Sequence, residues 1–296
     1  LKNFTNPPRS LMLITLFRLL SKLPLPVLHA SGATLGWLVY LASPTYRNRL
    51  KSNIARAGFS EFLAQAIREA GKNLLELPFV WFASTARIKR AGVFANWEVA
   101  KIAIDARRGV IFLTPHLGCF EMLAQVTATE APLTVLYRPP RKEALRPLIE
   151  GARTRNKLQL APANLAGVRT LLKTLKQGGA IGLLPDQVPQ QGEGVWADFF
   201  GKPAYTMTLP AKLQQMTGAP IILAYAERLP WGKGYVLRLV PFEQDMGKTP
   251  EQQARAINAA MEQLIARCPA QYFWSYNRYK TPPGVTNPAS REKEST

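Results

Sequence analysis

The chain has few cysteines, few histidines and few acids, and each shortage excludes something. Its 296 residues hold two cysteines, Cys119 and Cys268, and two histidines, His29 and His116. Two thiols far apart, in different expected elements, supply neither a disulfide framework nor a metal quartet, and they fit a reducing compartment. No G-x-x-x-x-G-K-[ST] loop occurs, so nucleotide binding has no support. Zinc-ligand spacing, RNP-like motifs and a heptad joined to a basic region are also missing, which removes the recognisable nucleic-acid modules. Acids number 19 against 38 Lys plus Arg, a formal charge of +19. The expected neighbours are therefore acidic: an anionic membrane surface, an anionic substrate or an acidic carrier protein.

Apolar residues are plentiful, at 47%, enough for a real core in a chain of this length. RSLMLITLFRLL at 9–20 reads as an apolar helix, and no formal charge falls between Lys22 and Arg47. That second stretch approaches the roughly 20 apolar residues needed to cross a bilayer, but Pro24, Pro26, Gly32 and Gly36 weaken it as a span. We read residues 1–46 as a membrane-embedded or membrane-lying anchor, with a buried helical hairpin as the alternative. The spacing of Gly32 and Gly36 permits close helix packing. Arg47, Arg49, Lys51 and Arg56 follow directly, which favours a retained anchor with a cytoplasmic body over a cleaved signal peptide. Residues 47–280 form the main domain, and 281–296 read as a flexible polar tail.

The most informative stretch is GVIFLTPHLGCFE, 109–121. A buried strand ends at Pro115, a tight turn carries His116, and a helix opens with Glu121 in its first turn. The spacing H-x-x-x-x-E lets a carboxylate at the helix start reach back to the imidazole, leaving the other ring nitrogen basic, the logic of an oriented general base. Cys119 lies between Gly118 and Phe120 on apolar sequence and reads as a buried structural thiol. Beyond this point strands and helices alternate: strands at 110–114, 133–137, 158–160, 180–184, 221–226 and 234–240, helices at 118–127, 142–156, 166–176 and 207–217. The pattern specifies an α/β fold with a mostly parallel central sheet flanked by helices. His116, Arg138 and Asp186 each follow a strand, where open α/β sheets gather their ligands. The Gly-rich stretch after Gln190 reads as a loop, and Thr249, Pro250 and Gln252 open a marked helix.

These residues resemble a known family, the late acyltransferases of lipid A assembly within the lysophospholipid acyltransferase group. The resemblance rests on PHLGCFE (115–121), LYRPPRK (136–142), GVRTLLKTLKQGGAIGLLPDQ (167–187) and DFFGKPAYT (198–206), in that order, and extends to YFWSYNRYK near the C-terminus. It implies a glycerol-3-phosphate acyltransferase-like fold and an enzyme on the cytoplasmic face of the bacterial inner membrane. Its acyl donor would be an acyl-carrier-protein thioester, or less often coenzyme A, and its acceptor a lipid hydroxyl. By the same likeness His116 is the general base, Glu121 orients it and Arg138 engages phosphate or developing negative charge. Arg141, Arg169, Asp186 and Gln187 carry over as cleft or substrate residues.

A thioester is already electrophilic, so the expected chemistry needs no metal, cofactor or covalent acyl-enzyme. Arg138 and backbone N–H groups near Gly118 are the candidate oxyanion donors. Expected partners are the acyl carrier protein, the lipid acceptor and the anionic membrane surface, with no nucleic acid. The alternatives are a lysophospholipid or ornithine-lipid acyltransferase, a thioesterase or lipid hydrolase using the same pair, and a non-catalytic basic membrane-binding protein.

Overall fold

A computed structural model of the protein describes residues 9–140 and 142–288. Helices α1 (Arg9–Leu20), α2 (Leu25–Ala42), α3 (Pro44–Arg56), α4 (Leu63–Leu75), α5 (Leu77–Phe82) and α6 (Thr85–Ala91) lead into β1 (Gly92–Phe94) and α7 (Glu98–Asp105). An alternating run follows: β2 (Val110–Leu113), α8 (Phe120–Glu130), β3 (Leu133–Tyr137), α9 (Arg146–Arg153), β4 (Leu158–Pro162), α10 (Leu165–Lys176) and β5 (Ala180–Leu183). The chain closes with β6 (Gly194–Phe199), β7 (Lys202–Met207), α11 (Leu209–Thr217), β8 (Ile221–Arg228), β9 (Tyr235–Pro241) and α12 (Pro250–Arg267).

Seven strands form one sheet in the order β1-β9-β8-β2-β5-β3-β4, with every pairing parallel except β8 with β9. β2 and β5 are buried along their whole length, as strands covered on both faces must be. Their alternate side chains feed two apolar layers. Ile111, Leu113, Ile181 and Leu183 pack with α10 and α12 on one side. Val110 and Phe112 pack with Met122 and Val126 of α8 on the other. α12 opens with a capping box, Thr249 and Gln252 each holding the other's backbone N–H, which satisfies two donors that a helix start leaves orphaned.

The stretch expected to be a Gly-rich loop contains an antiparallel hairpin. β6 pairs with β7 from Gly194↔Met207 to Phe199↔Lys202, and Asn258 of α12 holds it by a bond to the Asp198 carbonyl. Its strands are short and carry Pro203, Ala197 and Ala204, so the period-two signal is faint.

α2 is the one helix among the described residues long and apolar enough to cross a membrane, and it is docked on the protein body. A Cβ on Gly36 would lie 2.1 Å from the Ile67 carbonyl oxygen, and one on Gly71 only 2.0 Å from that of Gly32. The G-x-x-x-G thus faces a third glycine, and the two helices pack backbone to backbone. Leu25 and Leu28 belong to the core, and His29 points into a buried polar cluster. There Glu76 accepts bonds from Arg228 Nε and Tyr235 Oη, each at 2.8 Å, with His29 Nε2 at 3.3 Å. Burial alone would raise the Glu76 pKa, but the Arg228 charge and the bonds from Arg228 and His29 draw it down to about 2. A charged pair this deep is held by the several hydrogen bonds made by both partners.

Candidate active site

His116 is positioned by three backbone attachments. Pro115 ends β2, and Gly118 (φ +60°) then turns the chain in the left-handed region, where a Cβ would stand 1.9 Å from the Ala226 carbonyl oxygen. No other residue fits that close approach to β8. The Gly118 N–H donates to Gln271 O at 3.0 Å, Cys119 N–H to Ala226 O at 2.9 Å, and Phe273 N–H to His116 O at 3.0 Å. The turn is therefore stitched on one side to β8 and on the other to the segment after α12.

The imidazole finds its carboxylate across the sheet. Leu113 of β2 is in register with Leu183 of β5, so three residues further on His116 stands opposite Asp186. Asp186 Oδ1 accepts from His116 Nδ1 at 2.8 Å, and Oδ2 accepts from the His116 backbone N–H at 2.9 Å. Asp186 is 2% exposed. Its burial pushes its pKa up, but the attraction of the His116 ring, the two His116 donors and the nearby Arg278 charge outweigh that and hold it below the usual carboxylate range. An ionised carboxylate only accepts, so Nδ1 carries a proton. Nε2 lies 3.0 Å from Gln187 Nε2, and an amide nitrogen can only donate, so Nε2 presents a lone pair to it.

Glu121 does not hold His116, which corrects the expected pairing. Its carboxylate accepts from Arg153 Nε at 3.1 Å, from Arg153 Nη2, and from Trp81 Nε1 at 3.0 Å. The reason is local: α8 starts at Phe120, so Glu121 projects from its first turn toward α5 and α9. Phe120 fills the near side instead, its ring 4.8 Å from the imidazole and edge-on. Gly118 is also corrected as an oxyanion donor, because its N–H is engaged by Gln271. The Cys119 thiol is buried, and its burial, followed by the charge of Glu76, pushes its pKa well up, so it remains a thiol and no nucleophile.

A cavity of about 590 Å³ opens over this pair, within the size range of small-molecule and cofactor sites. His116, Glu121, Arg138, Arg153 and Gln187 line it, with Lys212 contributing a further cation. The wall is apolar: Leu136, Leu165, Val168, Leu184, Met207 and Leu209. Arg169 lies exposed on α10 and is not among the lining residues, so the structure does not bring it to the others. Arg141 falls outside the described residues. Among the described residues no group of three His, Cys, Asp or Glu side chains is placed to hold a metal ion.

Several supporting residues were not singled out from sequence. Arg153 and Trp81 hold Glu121. The buried Tyr272 ring lies against Asp186, whose charge helps to push the Tyr272 pKa well up, and Tyr276 Oη accepts the Val188 N–H at 3.0 Å, fixing the turn after β5 that carries Asp186 and Gln187. The motif QYFWSYNRYK is thus a clasp over both halves of the site. Its aromatic density was visible, but its contacts depend on tertiary docking.

Residues 5–281 match the model of the bacterial lipid A biosynthesis acyltransferases. The chain belongs to that family. It is 28% identical over 278 residues to a lipid A biosynthesis palmitoleoyltransferase of Escherichia coli (strain K12), covering 88% of each chain. It is equally 28% identical, over 276 residues, to a lipid A biosynthesis lauroyltransferase of the same strain, covering 90% of this chain and 89% of that one. A lipid A biosynthesis acyltransferase of Haemophilus influenzae (strain ATCC 51907 / DSM 11121 / KW20 / Rd) is 26% identical over 207 residues, 67% of this chain and 62% of the other. The protein is therefore an acyltransferase, and the cavity beside His116 is where its geometry brings an imidazole, several cations and an apolar wall together.

Proposed function

We propose that this acyltransferase moves a fatty acyl group from an acyl-carrier-protein thioester, or a coenzyme A thioester, onto a hydroxyl of a lipid A precursor. The reading is carried by one observation: an imidazole, held at Nδ1 by a buried carboxylate, turns its Nε2 into a cavity walled by alkyl side chains and edged by arginine. The acceptor O–H loses its proton to His116 Nε2 as its oxygen attacks the thioester carbonyl. Asp186 keeps the ring in the right tautomer and stabilises the imidazolium that forms. That proton then passes to the leaving thiolate as the C–S bond breaks, so no covalent enzyme intermediate is required. Arg138, exposed at the cavity edge, suits a phosphate of the acceptor or carrier by its planar, bidentate fork. Glu121 acts through Arg153, fixing one wall of the cavity.

The test supplies purified protein with lauroyl and palmitoleoyl thioesters of acyl carrier protein and of coenzyme A, together with a lipid A precursor. Mass spectrometry is expected to show acylated lipid with the wild type and none with His116→Ala. Free fatty acid without acylated lipid points to a hydrolase and contradicts the proposal.

The site of action we propose is the cytoplasmic face of the inner membrane, with α1 and α2 lying on it. Leu11, Met12, Leu16 and Leu19 of α1 and Val27, Leu38 and Leu41 of α2 are exposed, and so is Trp231 in the turn beside Pro26. Such an apolar face beside Arg18 and Lys22 suits an anionic interface. Vesicles of phosphatidylglycerol are expected to co-sediment the protein, and high salt to release part of it. Equal binding to neutral phosphatidylcholine vesicles at all salt concentrations would remove the electrostatic part of this proposal.

A further inference from the structure

The transfer step needs a donor for the oxyanion, and the backbone amides of the turn that carries His116 are already engaged. The N–H groups of Leu117, Gly118 and Cys119 are engaged by Pro115, Gln271 and Ala226 carbonyls, and that of Val188 by the Tyr276 hydroxyl. None of these four amides is left to donate. The side-chain amide of Gln187 carries two N–H groups, and only one of them can point at His116 Nε2. It lines the cavity, it follows Asp186 directly at the end of β5, and its nitrogen rests 3.0 Å from His116 Nε2.

Resting on the proposed acyl transfer, we propose that Gln187 is the oxyanion donor of this site. At rest its amide N–H donates to the lone pair on Nε2. The acceptor hydroxyl must take that same lone pair, so acceptor binding displaces the amide by about the width of one heavy atom. The displaced N–H then lies within hydrogen-bond reach of a carbonyl carbon's substituents when that carbon is attacked from the hydroxyl oxygen held on Nε2. As the C–O bond forms and the carbonyl π electrons move onto oxygen, the resulting anion accepts from Gln187. When the oxyanion collapses, the C=O bond re-forms, the thiolate leaves with the proton from Nε2–H, and the amide returns to the bare imidazole.

A neutral amide suits both states. It donates to Nε2 without contributing a positive charge that would weaken the base, and it carries no proton that the imidazole could take. Because Asp186 and Gln187 are consecutive and Val188 is tied to Tyr276, the orienting acid and the donor are held by one rigid strand end. This gives Gln187 a defined chemical task in place of the general cleft role that the family resemblance implies.

The experiment compares wild type, Gln187→Ala, Gln187→Asn and Gln187→Glu with lauroyl thioester of acyl carrier protein and a lipid A precursor, with thermal melting to establish that each variant is folded. Gln187→Ala is expected to lower kcat by about 10²- to 10³-fold, with KM for both substrates changed by less than about threefold and the shape of the pH–rate profile kept. Gln187→Glu, which at neutral pH can only accept, is expected to lose at least as much. Gln187→Asn, one methylene short, should regain part. If Gln187→Ala turns over as fast as the wild type, or faster, the side chain merely covers the imidazole and the assignment is overturned. A wild type that transfers no acyl group, by contrast, contradicts the proposed function itself, so the two failures are separable.

Discussion

Asp186→Asn is expected to lower kcat by about 10³- to 10⁴-fold while leaving KM nearly unchanged. The carboxylate accepts two bonds from His116, one from the ring and one from the backbone. An amide in its place offers an N–H to Nδ1, which favours the tautomer with its proton on Nε2, the nitrogen that must be free to receive one. The backbone contact to the amide oxygen survives, so the fold should not suffer. Initial rates at saturating thioester and acceptor, beside a melting curve, measure the effect. A loss under tenfold in a folded Asp186→Asn protein would mean that the imidazole needs no partner across the sheet. Tyr272 and the Arg278 charge support the same carboxylate from behind, so their effects should be smaller and act through Asp186.

The largest effect on stability is expected from Arg228→Met. Arg228 is 3% exposed and bonds Glu76, Glu69 and Asn73 at once. Removing the guanidinium leaves Glu76 buried with only His29 and Tyr235, which costs about 3–5 kcal/mol. For a chain of this size that corresponds to a fall in Tm of roughly 10 °C. Acid should narrow the difference. The Glu76 pKa falls from the ordinary 4.5 to about 2 on folding, so its contribution is fully present above pH 4.5 and is lost as pH drops toward 2. In Arg228→Met the uncompensated carboxylate instead gains from protonation over the same range. Melting temperatures at pH 7 and pH 3 should therefore differ between the two proteins much less at the lower pH. An equal gap at both would show that Glu76 is not the group through which Arg228 stabilises the fold.

The same cluster bears on how the N-terminal region meets the membrane. It ties α2 to α4, β8 and β9 through His29, Glu76, Arg228 and Tyr235, and the glycine contacts close the helices together. A helix fastened so firmly presents its outer face alone. The charge-free stretch between Lys22 and Arg47 showed an apolar helix, but not that one of its faces is taken by the body.

The sequence carried the strand-turn-helix around His116, the alternation that makes the sheet, and the recurrence of His116, Arg138 and Asp186 at strand ends. It could not carry the partner of the imidazole. Glu121 is five residues away along the chain and looks near, whereas Asp186 is seventy residues away and becomes a neighbour only through the register of β2 with β5. Local spacing says which groups can reach one another within a turn, and strand register is a property of the whole sheet. Arg153 and Trp81 were hidden for the same reason, since α5 and α9 converge on Glu121 only after the sheet has formed. The β6–β7 hairpin was masked by its glycine, proline and alanine, and the clasp formed by QYFWSYNRYK makes its contacts through scattered backbone and side-chain bonds that leave no periodic trace.

The most direct test of the His116–Asp186 pair uses the chain's shortage of histidine. With only His29 and His116 present, nitrogen-15 labelling of histidine gives a spectrum of two rings, and His29→Gln assigns them. The expected result is a His116 ring protonated at Nδ1 and bare at Nε2 in the wild type and in Glu121→Gln, with that preference lost in Asp186→Asn. A ring whose tautomer changes with Glu121→Gln and is untouched by Asp186→Asn would contradict the pairing and return Glu121 to the role of orienting acid.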